Sequence, residues 1–244
     1  MNAKIYRALI LFGFSVVWLH NALAKGHDNT AASEQSQIHA AVAHVLKANK
    51  GFVAQHKTSY FLPFIQGQKP KATVVTCADS RVHSHAIDPH PDGDLFMVRD
   101  IGNQVATAKG SIEYGVRHLH TPLLLIVGHS MCGAVKAAMS DYSAMEPAIK
   151  EDLSTIHVPR GDPDDPIQVK SAVETNVNQQ VDLALKMFQD ELAQGKLMVI
   201  GSVYDFRNDY QKGSGRLVFT NVNGETEPGK IKQLLSLSKG VTTK

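Results

Sequence analysis

The fold of this chain is constrained above all by short apolar runs whose periodicity differs from that of the segments between them. "ATVVTC" (72–77), "DLFMVRD" (94–100), "LLLIVGH" (123–129) and "KLMVIGSVYDF" (196–206) are short, continuous and rich in β-branched residues. Continuity, rather than alternation, marks parallel strands covered on both faces. Helical stretches at 109–119, 132–139 and 171–194 fall between them. Strands alternating with helices predict an α/β domain. A fifth run, "GRLVFTN" (215–221), follows the fourth across a turn and is expected to run antiparallel. The expected architecture is a central, mainly parallel β-sheet of four strands plus an antiparallel edge strand, flanked by helices. A helical N-terminal arm spans 32–64, where Ile38, Val42, Val45 and Leu46 stand close to helical spacing. "HVPRGDPDDP" (157–166) reads as a surface loop, and 226–244 as a short amphipathic helix or a loose tail.

The first 24 residues have their own logic. Lys4 and Arg7 precede an apolar run from Ala8 to Leu19, and Ala22-Leu23-Ala24 forms an A-x-A cleavage site. This is the pattern of a signal peptide, with an apolar run too short to span a bilayer comfortably. The expected organisation is a leader over 1–24 and a single domain over 25–244, exported, with the periplasm as its destination and no stable membrane insertion after cleavage. Removing Lys4 and Arg7 from the 25 basic residues brings them level with the 23 acidic ones. A chain without a basic field has nothing to draw in nucleic acid.

Two cysteines remain to be explained. Ligands of α/β sheets bind at the carboxyl ends of strands. Cys77 ends the first run, His129 ends the third, and Cys132 opens the helix after it. By count alone, two cysteines in an exported protein suggest a disulfide, and a pair of buried free thiols is another reading. The histidine three residues before Cys132, and the strand-end placement, favour ligands instead. One nitrogen and two sulfurs suit Zn²⁺, and three protein ligands leave a fourth position open for chemistry. Asp79 and Arg81 follow Cys77 at a spacing that lets both lie on one side of the loop. There Asp79 could accept a hydrogen bond from water at the metal while Arg81 keeps it ionised and oriented.

"CADSRV" and "GHSMCGAV", with "GDLFMVRDIGN" and "GSIEYGV" between them, resemble the β-class carbonic anhydrases over roughly residues 35–222. The resemblance implies one Zn²⁺ per chain on Cys77, His129 and Cys132, and an Asp79–Arg81 catalytic dyad. It implies reversible hydration of CO2 to bicarbonate and a proton, by a zinc-activated water that the dyad orients. It also implies a substrate pocket of Gln68, Phe96, Ile101, Tyr114 and Gly133, partly supplied across a homodimer, or within a dimer of dimers. Asp79 would become a fourth metal ligand in a closed state if Arg81 released it. The regulated members of the family resemble one another in a tryptophan three residues before the first zinc cysteine. Val74 stands there, so the open, unregulated type is expected. His83, His85 and His90 occupy a loop where the family more usually has proline or apolar residues. One of them could carry protons, though solvated loop histidines are the plainer reading. A hydrolase of CS2 or COS on the same fold, and a non-catalytic zinc or redox protein, are the competing functions.

Overall fold

β1 (Ala72–Cys77) is buried at every position, as its short, continuous, β-branched run predicts for a strand with both faces covered. The computed structural model describes residues 13–237, with side chains from 33 to 236. The first half of the expected leader therefore lies outside the described residues. The chain groups into two compact units, Met1–Gln66 and Gly67–Lys244.

In the first unit, α1 (Gly13–Gln55) is followed by a short α2 (Thr58–Phe61) and a 3₁₀ turn, Leu62–Phe64. Ile38, Val42, Val45 and Leu46 are all exposed on α1, and their spacing puts them on one face of the helix. At the corner between α1 and α2, the rings of Phe52 and His56 lie 4.1 Å apart and those of His56 and Tyr60 4.2 Å apart. Among the described residues, no helix is long and apolar enough to cross a membrane.

The second unit is built on one five-stranded sheet. β2 (Leu95–Asp100), β3 (Leu123–His129), β4 (Met198–Asp205) and β5 (Arg216–Val222) join β1 in the order β2-β1-β3-β4-β5. β2, β1, β3 and β4 are parallel, and β5 pairs antiparallel with β4 at the edge. The sheet is the one expected, and each strand falls within two residues of its predicted bounds.

The helices differ more. α3 (Lys109–Glu113) continues into a π-helical turn, Tyr114–His118, while α4 (Gly133–Ala138) lies close to its expected place. α5 (Pro147–Leu153) was not foreseen. α6 (Pro166–Met187) starts five residues before its expected start at 171. Asp165 caps it, its carboxylate accepting the N–H groups of Ile167 and Gln168, and Pro166 supplies the first turn. Thus the end of the expected 157–166 loop is in fact a helix start. The chain breaks at Phe188, whose φ of −119° and ψ of 34° separate α6 from α7 (Gln189–Ala193). α8 (Pro228–Leu237) is the expected C-terminal helix.

α6 lies tightly on the sheet. A Cβ on Gly128 would come within 2.7 Å of Val177, and one on Gly201 within 2.8 Å of the same valine. Only glycine lets the helix approach β3 and β4 this closely. From β1 the chain passes to β2 on one side, while β3 leads to β4 on the other. The crevice between the carboxyl ends of β1 and β3 is therefore the topological switch point, where this class of sheet places its ligands.

Candidate metal centre

Neighbouring strands bring the two cysteine segments together. Thr76 pairs with Val127 in the β1–β3 ladder, so Cys77 and His129 leave adjacent strands at the same end. Met131 adopts a left-handed φ of 51° in the turn that follows, and Cys132 caps α4. Cys77, His129 and Cys132 are all buried, at 5%, 0% and 0% exposure. Their donor atoms lie within 4.8 Å of one another, and among the described residues this is the only group with such spacing. His83, His85 and His90 form no such group.

The donors fit a soft metal ion. Both cysteines are free, and their sulfurs stand 3.9 Å apart. Two sulfurs each about 2.3 Å from one tetrahedral Zn²⁺ would stand about 3.8 Å apart. His129 Nδ1 lies 3.0 Å from the carbonyl oxygen of Ser130. A carbonyl only accepts, so Nδ1 carries the proton and Nε2 presents a lone pair. Nε2 is buried and has no hydrogen-bond partner, a costly state for a polar atom unless it is a ligand. As a pair, the thiols titrate unequally. The Cys132 thiol hydrogen bond holds Cys77 well below its ordinary value against the effect of burial, with help from the N–H groups of Gly102 and Asp79. The same contact, with burial and the charge on Cys77, pushes Cys132 up; the N–H groups of Val135 and Ala134 oppose this.

The Asp79–Arg81 pair sits beside this group. Asp79 Oδ1 accepts from the backbone N–H and Nε of Arg81, each at 2.9 Å, and Oδ2 accepts from Nη2 at 2.7 Å. These guanidinium hydrogen bonds hold the Asp79 carboxyl well below the usual carboxylate range, against burial. Asp79 Oδ2 lies 3.8 Å from His129 Nε2. Arg81 in turn reaches the Met131 carbonyl at 3.4 Å and lies 5.0 Å over the ring of Phe206.

Three residues that sequence reasoning missed support this arrangement. Arg99 donates to the carbonyls of Cys77, Asp79 and Val82 at 3.2 Å or less, clasping the loop that carries the pair. Phe206 lies under the Arg81 guanidinium and stacks on His129 at 6.0 Å. Asp205 accepts from Ser130 Oγ at 3.0 Å and from the N–H groups of Asp209 and Tyr210 at 2.9 Å. The residues involved are far apart in sequence, and no short motif marks them.

The expected pocket residues are divided. Ile101 directly follows Asp100, the register partner of Cys77. Gly133 is exposed, and nothing lies within 4 Å of a Cβ built there. Phe96 and Tyr114 lie against each other at 5.9 Å, but Phe96 pairs with Thr73 rather than Cys77. Four residues at about 3.3 Å each put it roughly 13 Å along the strand from the sulfur. Gln68 is exposed in the segment before β1. Phe96 thus stands along the strand from the metal group of its own chain, with Tyr114 against it.

The family model described as "Carbonic anhydrase" matches residues 72–211. Carbonic anhydrase 2 of Mycobacterium tuberculosis (strain CDC 1551 / Oshkosh) is 48% identical over 75 residues, covering 30% of this chain and 36% of that protein. The matched stretch thus spans about a third of that relative's length. A carbonic anhydrase of Synechococcus elongatus is 30% identical over 166 residues, 59% of this chain and 60% of its own. Among solved structures, the Coccomyxa β-carbonic anhydrase in complex with acetazolamide superposes with a TM-score of 0.63 at 24% identity, covering 82% of this chain and 99% of that one. One of two tetrameric β-carbonic anhydrases from Sordaria macrospora gives 0.61 at 23%, covering 73% and 95%. A buried Cys-His-Cys group at the switch point of such a sheet, within a segment that matches this family from β1 past β4, places the chain in the carbonic anhydrase family, in its β class.

Proposed function

We propose that the protein catalyses the reversible hydration of CO2 to bicarbonate and a proton, with one Zn²⁺ held by Cys77, His129 and Cys132. The observation that carries this reading is the Arg81-held carboxylate of Asp79, 3.8 Å from the bare Nε2 of His129. Bound there, Zn²⁺ supplies a Lewis acid that lowers the pKa of water toward neutrality. The chain's own residues do the rest. The Ser130 carbonyl fixes the His129 tautomer that leaves Nε2 as donor. Asp79 accepts a hydrogen bond from the attacking water and so aims its lone pair at carbon. Arg81 keeps Asp79 ionised and, by engaging both its oxygens, holds it as an acceptor rather than a ligand, the open arrangement expected with Val74. Ile101 offers CO2 an apolar wall.

Phe96, Tyr114 and Gln68 complete the pocket in our reading only when a second copy brings them. A homodimer, or a dimer of dimers, is therefore part of the proposal. Tyr114 is 49% exposed, and the apolar stripe of α1 is exposed as well. Both suit burial against a second copy, which sedimentation of the purified protein would detect. The chain is further read as exported; N-terminal sequencing after secretion would place the cleavage at Ala24.

The deciding experiment is stopped-flow CO2 hydration by the zinc-loaded protein from about pH 6 to 9, with metal analysis of the wild type, Cys77→Ser and His129→Ala. About one zinc per chain in the wild type, lost in both variants, is expected. Hydration should rise with pH along a single ionisation. A zinc-replete protein inactive at every pH would overturn the proposed activity. Inactivity with hydrolysis of CS2 or COS would replace it.

A further inference from the structure

α6 turns eight residues inward, and two of them, Asn176 and Gln180, are polar although apolar neighbours fill the other positions. Both are 0% exposed. Burying two amides costs several kcal/mol unless each polar atom is matched, so their partners show what holds them there.

The partners form one directed chain. The backbone N–H of Val105 donates to Gln180 Oε1 at 2.8 Å. This orients the Gln180 NH₂ toward Asn176, where Nε2 donates to Oδ1 at 3.1 Å. The Asn176 NH₂ is then turned to the Gly102 carbonyl, at 2.9 Å, and to Asn103 Oδ1, at 3.4 Å. Finally, the Gly102 N–H donates to Cys77 Sγ at 3.4 Å. An amide has one donor end and one acceptor end, so flipping either side chain breaks the chain at both ends.

The loop that this chain grips needs holding. Gly102 and Asn103 have consecutive positive φ values, 83° and 52°. The second is uncommon for a residue with a side chain. A Cβ on Gly102 would come within 2.6 Å of Ile156. The backbone is thus bent to aim one N–H at one sulfur, and the grip on it comes from a helix that supplies no metal donor.

We propose that Asn176 and Gln180 are positioning residues for the metal centre: they hold the Gly102 N–H on Cys77 Sγ, and through it set the electron density and orientation of that sulfur as a ligand. The proposal rests on the metal reading given above. An N–H···S bond withdraws charge from a thiolate, and hydrogen bonds of this kind to first ligands tune metal affinity. Apolar substitution at either position would leave the Gly102 carbonyl or the Val105 N–H buried without a partner. That would loosen the loop as well as the sulfur. The two effects are separable by comparison with Asn221, which is 1% exposed and donates to Asn178 Oδ1 at 3.0 Å, in a contact that leads to no ligand.

The test compares the full-length wild type with Asn176→Asp, Gln180→Glu and Asn221→Ala. Asn176→Asp keeps shape but turns an acceptor toward the Gly102 carbonyl. Gln180→Glu acts one link further away, and carries the test if Asn176→Asp does not fold. Three quantities are read: zinc affinity by competition with a chromophoric chelator, the energy of the thiolate-to-metal charge-transfer band after substitution with cobalt(II), and thermal stability. The expected result is a loss of zinc affinity of about 10- to 100-fold in Asn176→Asp. The cobalt band should shift in that variant, and Gln180→Glu should change both metal readings in the same direction by less. Asn221→Ala should lose thermal stability while both metal readings stay at wild-type values. Unchanged affinity and band in the Asn176 and Gln180 variants would overturn the proposal, as would equal losses in all three. A wild type that binds neither zinc nor cobalt would overturn the metal reading itself, a result that no pattern among the variants can imitate.

Discussion

At the scale of single residues, the site depends on which atoms are left free. Both oxygens of Asp79 are engaged by Arg81 through its backbone N–H and two guanidinium nitrogens. A lysine keeps the charge but offers a single point donor in place of a planar fork. Arg81→Lys should therefore leave zinc content unchanged while hydration falls about 10- to 100-fold, because Asp79 is no longer aimed. Parallel metal analysis and stopped-flow rates check this. Equal rates in the two proteins would show that orientation of Asp79 does not matter. Phe206 extends the same logic: an aromatic face 5.0 Å beneath the guanidinium favours a cation there.

At the scale of elements, tight contacts separate residues that bear structure from those that bear chemistry. Gly128 and Gly201 let Val177 of α6 reach the sheet. Gly128→Ala and Gly201→Ala should each cost about 1–3 kcal/mol in urea unfolding. Gly133→Ala, where nothing lies within 4 Å, should be close to neutral. The connection from β4 to β5 depends on Asp205. Burial pushes its carboxyl up, but the N–H groups of Tyr210 and Asp209, with the Ser130 hydroxyl, outweigh burial and hold it below its ordinary value. A depressed carboxyl contributes stability above the unfolded pKa, near 4, and loses that contribution as pH falls through the folded value. Asp205→Asn should thus be less stable than wild type at pH 7, with the gap closing on acidification below about pH 4. Thermal melts across that range provide the check. The same contacts explain what could be read from sequence. β1 was legible to the residue because its short, continuous, β-branched run is the pattern of a parallel strand covered on both faces. The start of α6 was not, because Asp165-Pro166 looks like loop chemistry until the helix it caps is seen. α5 is only seven residues long, too short for a clear periodic signal. Cys77, Asp79, Arg81, His129 and Cys132 stand in two short segments whose residue types announce metal chemistry. Arg99, Asn176, Asp205 and Phe206 act by meeting residues that are remote in sequence, as with Asn176 and Gly102, 74 positions apart. No local pattern encodes such a meeting.

At the scale of the whole molecule, the metal donors come from the ends of two neighbouring strands, joined in the β1–β3 ladder, and from the cap of the helix that follows the second, although Cys77 and Cys132 are 55 residues apart in sequence. Side chains alternate along a strand, so a slip of β1 by one residue against β3 would turn Cys77 to the opposite face and bring Thr76 in its place. Such a chain could still bury most of its apolar surface, because β1 carries a valine on each face, Val74 on one and Val75 on the other. It could not assemble two sulfurs and a nitrogen around one ion. The ion would therefore act as an editor of strand alignment during folding, rewarding the native pairing and no other. Protein refolded with zinc present should recover a larger active fraction than protein given the same zinc after refolding. Equal recoveries would mean that the apolar strands find their alignment unaided.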